Sequence, residues 1–343
     1  MNSKLMKSAL MLIASFFLSS FSHANAQESA IAASEFIFIN APFKECHAST
    51  IESTPTGLIA AWFGGTEERN KDVEIWTSRK TATGWTKPMS VADGIQRNKK
   101  RYPTWNPVLF QMPSGPLLLF YKVGPNPKEW WGMLKTSTDN GLTWSAATRL
   151  PDGILGPIKN KPILLGNRLL CPSSSEHAGW RIHFEITEDM GKTWKVVGPI
   201  NTTEQFNAIQ PSILTHGKDT LQILARSKEA SVLSSWSYDD GLTWSKLYAT
   251  ELPNPNSGTD AVTLANGYQL LVYNPTTKSR TPLDVAISKD GIKWKSILTL
   301  ESEPGEYSYP AVIQSADGMI HITYTWKRER IKYVMLDPGK IDF

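Results

Sequence analysis

The sequence predicts an all-β, six-bladed β-propeller, and three observations lead there. The first is a repeated pattern: Ser137-Thr138-Asp139-Asn140-Gly141-Leu142-Thr143-Trp144, Thr187-Glu188-Asp189-Met190-Gly191-Lys192-Thr193-Trp194 and Ser237-Tyr238-Asp239-Asp240-Gly241-Leu242-Thr243-Trp244. A shortened copy, Ser288-Lys289-Asp290-Gly291-Ile292-Lys293-Trp294, follows, and a degenerate one runs from Ser78 to Trp85. The second is spacing. The closing tryptophans fall at 144, 194, 244 and 294, a period of 50 residues, which is the length of one four-stranded blade. The third is composition: 13 Trp, 23 Gly and 22 Pro suit many short strands and tight turns, and no stretch keeps a helical apolar period beyond a turn or two.

The motif explains itself. Asp and Asn bond their own backbone in tight turns, Gly supplies a positive φ, and the Thr and Trp lead into the next strand by packing under the turn. Its Asp is therefore read as structural. Each repeat then offers an apolar strand, a turn such as Thr56-Gly57, Ser114-Gly115 or Asp317-Gly318, and a second apolar strand. The pairs are residues 48–53 with 58–63, 107–112 with 117–122, 161–165 with 168–172, 211–215 with 221–226, 260–264 with 268–273, and 310–314 with 319–324. A third strand, the motif turn and a fourth strand complete each blade. The sixth blade lacks an outer strand at the C-terminus. Residues 36–39 are expected to supply it and close the ring, leaving no free sheet edge.

Residues 1–26 read as a removable signal peptide: Lys4 and Lys7, an apolar run over 10–21, then the small-x-small site Ala24-Asn25-Ala26. That run is short for a bilayer span and no later stretch is long enough, so the expectation is a periplasmic or secreted domain of residues 27–343 without membrane insertion. Without Lys4 and Lys7 the formal charge falls from +4 to +2, which gives nucleic-acid binding no electrostatic support. Cys46 and Cys171 do not make a disulfide framework and are read as free, buried thiols. The six His are scattered; His177 and His183 have no ligand-type partners and are read as solvent-facing, so neither metal nor cofactor is expected.

Chemistry in a propeller belongs at one mouth of the central channel, where the first strands of all blades begin. The polar residues just before those strands are Cys46-His47, Trp105-Asn106, Lys159-Asn160-Lys161, Asn207 with Gln210, Thr259-Asp260 and Tyr307-Ser308-Tyr309. The ends of the second strands add Trp62-Phe63, Ser173 to His177, Arg226, Asn274 and Lys327.

On these residues the chain resembles the sialidase superfamily, and within it the predicted neuraminidases with BNR (Asp-box) repeats. The resemblance implies a substrate carboxylate held by arginines, a Tyr nucleophile assisted by a Glu, and an acid/base carboxylate on a first-blade loop. Arg226, in Ile223-Leu224-Ala225-Arg226, resembles the second family arginine, and Arg280, in Ser279-Arg280-Thr281-Pro282-Leu283, the third. Tyr307, in Glu306-Tyr307-Ser308-Tyr309, resembles the nucleophile. The chain departs elsewhere. His47 stands in the slot of the first arginine, Gln210 in that of the glutamate, and the acid/base falls in the stretch 65–72, with Glu68 nearest by spacing and Asp72 close.

The implied chemistry has a physical logic. A carboxylate beside the reacting carbon repels an incoming Asp or Glu, whereas a neutral Tyr escapes that repulsion if its proton is removed as it attacks. Arg226 and Arg280 would hold the carboxylate bidentately, and Glu68, its pKa raised beside Trp62, would protonate the leaving oxygen. Gln210 cannot serve as the base for Tyr307; His47 or Glu306 can. Gln210, Trp62, Trp105, Asn106, Lys161 and Asp260 are the further substrate-binding candidates. The expected partner is an acidic glycan such as a terminal sialic acid or a related sugar. Two alternatives stand: a polysaccharide lyase acting on a uronate through His47, Tyr307 and Arg226, and a non-catalytic glycan-binding propeller in which Trp62, Trp105, Trp130 and Trp131 stack on sugars.

Overall fold

The computed structural model describes residues 30–343; the signal expected over 1–26 lies outside the described residues. Six antiparallel sheets form six blades. The first three are Glu45–Thr54, Gly57–Gly65 and Glu74–Thr81 with an outer edge split between Gly84–Trp85 and Met89–Ala92; Thr104–Gln111, Leu117–Val123, Trp131–Ser137 and Thr148–Arg149; and Ile163–Leu165, Arg168–Ser175, Arg181–Thr187 and Lys195–Val197. The others are Ala208–Thr215, Leu221–Ser227, Ser231–Ser237 and Tyr248–Pro253; Asp260–Thr263, Gln269–Tyr273, Leu283–Ser288 and Lys295–Glu301; and Tyr307–Gln314, Ile320–Trp326 and Arg330–Leu336. Among the described residues the only named helical element is a 3₁₀ turn at Pro338–Lys340, and no helix is long and apolar enough to cross a membrane.

The ring closes through an N-terminal strand, but not the expected one. Ile31–Phe36 pairs antiparallel with Arg330–Leu336, Phe36 opposite Lys332. Of residues 36–39 only Phe36 lies in that strand. Ile37 and Phe38 instead fill the seam between blades 6 and 1 with Trp62, Ile331 and Tyr333, and Ile39 is exposed. An apolar run marked the seam filler, while the half-polar segment before it makes the outer strand, which needs only one apolar face.

The repeated turns staple blade to blade. In each, the Asp carboxylate accepts from the following backbone and side chains: Asp239 from Thr243 N–H at 2.8 Å, Thr243 Oγ1 at 2.7 Å and Ser237 Oγ at 2.8 Å. The Gly then presses on the preceding blade. A methyl group on Gly241 would lie 2.6 Å from Leu170 Cδ2, and φ there is +80°, so only Gly fits. Trp244 stacks on Phe184 of blade 3 at 4.2 Å and 7°. The Trp leads straight into a named strand in blades 3 and 5 but not in blades 2 and 4.

Strand direction fixes two faces. First strands run away from the mouth, second strands return and third strands run away again, so the Asp-box turns lie on the face opposite the mouth. Loops between second and third strands surround the mouth itself. Four first strands are also bulged at matching places: Ala48, Asn106, Gln210 and Tyr309 have φ of 55°, 36°, 58° and 51°, and at each the register slips so that two residues face one. A left-handed non-glycine residue costs about 1–2 kcal/mol. Four such residues at one end of the ring re-aim side chains toward the axis.

Cys46 and Cys171 are free and buried in different blades, and burial pushes both thiols up.

Candidate functional site

Tyr309 is the centre of the mouth. Its Oη accepts from Arg226 Nη1 at 2.6 Å and from Gln210 Nε2 at 3.3 Å. Around its ring stand the His47 imidazole, centroid to centroid at 4.2 Å, the Arg226 and Arg280 guanidinium carbons at 5.6 and 5.8 Å, and Lys159 Nζ at 5.8 Å.

Arg226 closes the second strand of blade 4. Its Nε donates to Asn256 Oδ1 at 2.8 Å, its Nη1 also reaches Gln210 Oε1 at 3.3 Å, and its plane lies over Trp180 at 5.1 Å. It is 8% exposed, and among the described residues no carboxylate pairs with it. Arg280 and Arg328 come from the mouth loops of blades 5 and 6. They share Glu306 Oε1, at 2.7 and 3.0 Å, and Arg328 also pairs with Glu68. Burial pushes the Glu306 carboxyl up, but Arg328 and Arg280 together outweigh it and hold it below its ordinary value. Lys159 gives its protons to Asn160 Oδ1 at 2.8 Å and to the Thr259 and Pro310 carbonyls, while burial pulls its ammonium down to about 7. Counting the fixed charges, the guanidinium groups of Arg226, Arg280 and Arg328 face the two carboxylates of Glu306 and Glu68, and Lys159 adds to the positive side where it is protonated. A site with that surplus favours an anion.

His47 lies at the mouth, but it is 3% exposed and its Nδ1 has no hydrogen-bond partner. Burial first, then Arg328, Arg280, Arg226 and Lys159, hold the imidazole well below its ordinary value. It is therefore a neutral ring among cations and does not replace an arginine. Arg328 supplies the third guanidinium. It was missed because the reading of second-strand ends stopped one residue short, at Lys327; the charged run Lys327-Arg328-Glu329-Arg330 was the available signal.

Of the other candidates, the structure brings Gln210, Arg280 and Glu68 to the mouth and sends several elsewhere. Tyr307 is buried between blades 5 and 6 with Leu283, Tyr324 and Trp326, and burial, Glu301 and Glu303 raise its phenol. The bulge explains the exchange: Tyr309 aligns with Gln210 and Asn106, and all three precede a proline. Trp62 packs on Phe38 at 5.0 Å in the blade 6–1 seam and offers neither a wall for Glu68 nor a sugar platform. Asp72 accepts from Thr66 N–H at 3.1 Å and Thr66 Oγ1 at 2.6 Å, pinning the loop that carries Glu68. Lys161 and Asp260 pair at 2.9 Å. Asp260, 2% exposed, also accepts from Ser212 Oγ at 3.1 Å and Val312 N–H at 2.8 Å. These two form a buried belt across blades 3 to 6 and support the mouth from beneath. Asn106 sits at the blade 2 bulge. Trp105 is buried, its Nε1 donating to the Gly124 carbonyl at 2.9 Å. His177 is exposed, whereas His183 is buried and bonded through Nε2 to Glu185 at 2.9 Å.

Comparison with known proteins identifies the family and the fold. A family model described as BNR repeat-like domain matches residues 56–322. A sialidase of Clostridium perfringens is 28% identical over 76 residues, a stretch that spans 22% of this chain and 19% of that protein. Among solved structures, the NanB sialidase of Streptococcus pneumoniae superposes with a TM-score of 0.71 at 13% identity, covering 90% of this chain and 71% of its own. The intramolecular trans-sialidase of Ruminococcus gnavus gives 0.72 at 15%, covering 92% and 99%. A protein of unknown function from Dyadobacter fermentans gives 0.74 at 17%, covering 90% and 98%. At these identities the likeness is one of fold.

Proposed function

Because the chain belongs to the BNR repeat-like family of the sialidase superfamily, we propose that it is a glycoside hydrolase that removes a terminal carboxylate-bearing sugar from a glycan. One observation carries the reading: Arg226 is buried without an ionic partner and donates at 2.6 Å to the hydroxyl of Tyr309. A buried cation lacking its counter-charge is costly, and a substrate carboxylate lying across Arg226, Arg280 and Arg328 supplies that charge. Tyr309 then attacks the adjacent carbon while its phenol proton passes to the neutral His47 imidazole packed on its ring, and the hydrogen bond from Arg226 stabilises the negative charge that develops on the oxygen as the proton leaves. Glu68, on the mouth loop of blade 1, protonates the leaving oxygen and then takes a proton from the water that releases the sugar from Tyr309.

A second reading rests on Gln210, which stands against Tyr309 and takes no proton. Elimination from a uronate needs no nucleophile and so no base for the phenol: the neutral His47 imidazole takes the proton next to a carboxylate neutralised by the arginines, and the Tyr309 hydroxyl gives its proton to the leaving oxygen. Product analysis on a panel of acidic oligosaccharides separates the two. Free acidic sugar without an ultraviolet-absorbing double bond is the expected result. An unsaturated uronate overturns hydrolysis in favour of elimination, and retained binding without turnover leaves a glycan-binding propeller.

A further inference from the structure

We propose that the cavity between blades 2 and 3 is a sugar subsite, taking the neutral leaving-side portion of an oligosaccharide whose terminal acidic sugar lies against Arg226 and Tyr309. The placement of that terminal sugar rests on the reading above; the subsite itself can be tested apart from it.

The cavity holds about 390 Å³, within the roughly 300–1,000 Å³ of small-ligand sites. Both of its walls are built on residues of the mouth. On one side Glu176 Oε2 accepts from Trp180 Nε1 at 3.0 Å, and the Trp180 ring carries the Arg226 guanidinium at 5.1 Å. On the other, Trp130 meets Trp105 edge to face at 5.9 Å and 72°, next to the bulge residue Asn106. A glycan anchored at Arg226 therefore has an aromatic-lined hollow directly beside it, and half-buried indoles such as Trp130 suit the apolar faces of sugar rings.

The charges in the hollow point to a neutral occupant. Arg149 is paired with Asp152 at 2.9 Å and lies over Trp131 at 5.0 Å. Arg181 spends its Nε and Nη2 on the Ala178 carbonyl at 3.1 and 2.7 Å, and its charge is met by Glu204, whose carboxyl it helps to hold down. That leaves Glu176 and Lys128, of opposite sign, to meet a ligand. Burial raises the Glu176 carboxyl above its ordinary value, against Arg226, the Trp180 bond and Lys128. Its Oε2 already accepts from Trp180, and its other oxygen can accept from a sugar hydroxyl. Trp131 and Arg149 also line a larger, open hollow of about 870 Å³ on the blade 1 side, so a longer chain has a way out.

The first arm of the test does not need turnover. The full-length protein is titrated by NMR with lactose, N-acetyllactosamine and cellobiose. At least one should bind the wild type and the Arg226→Ala variant alike. Trp130→Ala and Glu176→Gln should weaken that binding by about tenfold, and Trp130→Phe, which keeps a ring, should retain it. No binding of any of these, binding unchanged in Trp130→Ala, or equal loss in Arg226→Ala overturns the subsite. The second arm, available if the hydrolase reading holds, compares kcat/KM on an acidic oligosaccharide and on the aryl glycoside of the same acidic sugar. Trp130→Ala should lower the first about tenfold and leave the second within about twofold. Equal falls would mean that the residue supports the axial mouth instead.

Discussion

The two faces of this propeller are built on opposite rules. On the Asp-box face each turn does the same thing: Asp139, Asp189, Asp239 and Asp290 each bond their own loop. The Gly beside each rests on the blade before it, on Ile59, Leu134, Leu170 and Gln222 in turn. On the mouth face the blades diverge: blade 1 offers His47, blade 4 Gln210 with Arg226, blade 5 Arg280, and blade 6 Tyr309 with Arg328; most are buried, and four bulged residues sit at positive φ. Where the chain repeats itself it is holding the ring together, and where it breaks the repeat it places charge and strain at one point.

The largest effect belongs to Tyr309. Removing its oxygen in Tyr309→Phe should lower kcat on an acidic glycan by about 10³-fold, which is about 4 kcal/mol of barrier, with the melting temperature held within about 2 °C. Tyr307→Phe, away from the arginines, should keep kcat within about threefold. Steady-state rates and thermal melts of both variants check this. If Tyr307→Phe were the dead variant, the bulge would have been misread as aiming Tyr309.

Acid should act on the core before it acts on the Asp-box face. His321, buried and bonded to Tyr333 Oη at 2.8 Å and Ser315 Oγ at 2.7 Å, is held down to about 4 by burial, against Asp317. It binds a proton more readily unfolded than folded, so its contribution is present above about 6.5 and is lost as pH falls toward 4. That span is worth about 3 kcal/mol. His47, also held down by burial, acts in the same direction. The box carboxylates Asp139 and Asp189 are held down to about 2 by the hydrogen bonds they accept from Thr143 and Thr193. Their contribution persists above the ordinary carboxylate value and is lost only as pH falls from about 4 to 2. Urea titrations at stepped pH should therefore show His321→Gln and the wild type converging between pH 6.5 and 4. A constant difference across that window would remove His321 as the cause.

How much of this was legible depended on which rule governed a residue. The blade count and the strand pairs could be read because a local turn chemistry recurs every 50 residues. Arg226 and Arg280 were legible through their likeness to the family arginines, Arg226 near the end of a second strand and Arg280 just before a third. Tyr309 was not, because strand periodicity gives residues 307 and 309 the same face, and only the bulge, hinted at by Pro310, separates them. Lys161 and Asp260 look like ligand contacts in sequence and are a buried ion pair, since nothing local tells a charge where its partner lies. His47 occupies an arginine's slot, yet burial keeps it neutral, and Arg328 reaches across from the far end of the chain to do the electrostatic work.

Charge complementarity at the mouth sets the next effect. Arg226→Ala should weaken binding of an acidic glycan by about 10²-fold and that of a neutral one by no more than about twofold. Arg226→Lys should restore less than about tenfold, because a point charge cannot make the paired bonds to Tyr309 and Asn256 and a carboxylate together. Calorimetric titration of both variants with acidic and neutral ligands gives the answer. Equal loss for both ligand types would mean that Arg226 shapes the mouth and does not read charge.

The smallest effect lies on the opposite face and is the sharpest test of the division. Asp239→Asn keeps the size of the side chain and its acceptor oxygen but loses the charge that strengthens the bonds from Thr243 N–H, Thr243 Oγ1 and Ser237 Oγ. A weakened turn loosens Gly241 and Trp244 where they rest on Leu170 and Phe184, so the loss falls on the join between blades 3 and 4. The expected fall in melting temperature is about 2 °C, with kcat and KM unchanged. Asp139→Asn weakens the join between blades 1 and 2 in the same way. The two lie in separate turns with no shared partners, so their effects should add. An activity loss in either variant, or a double variant well below the sum, would mean that strain passes through the ring from one face to the other.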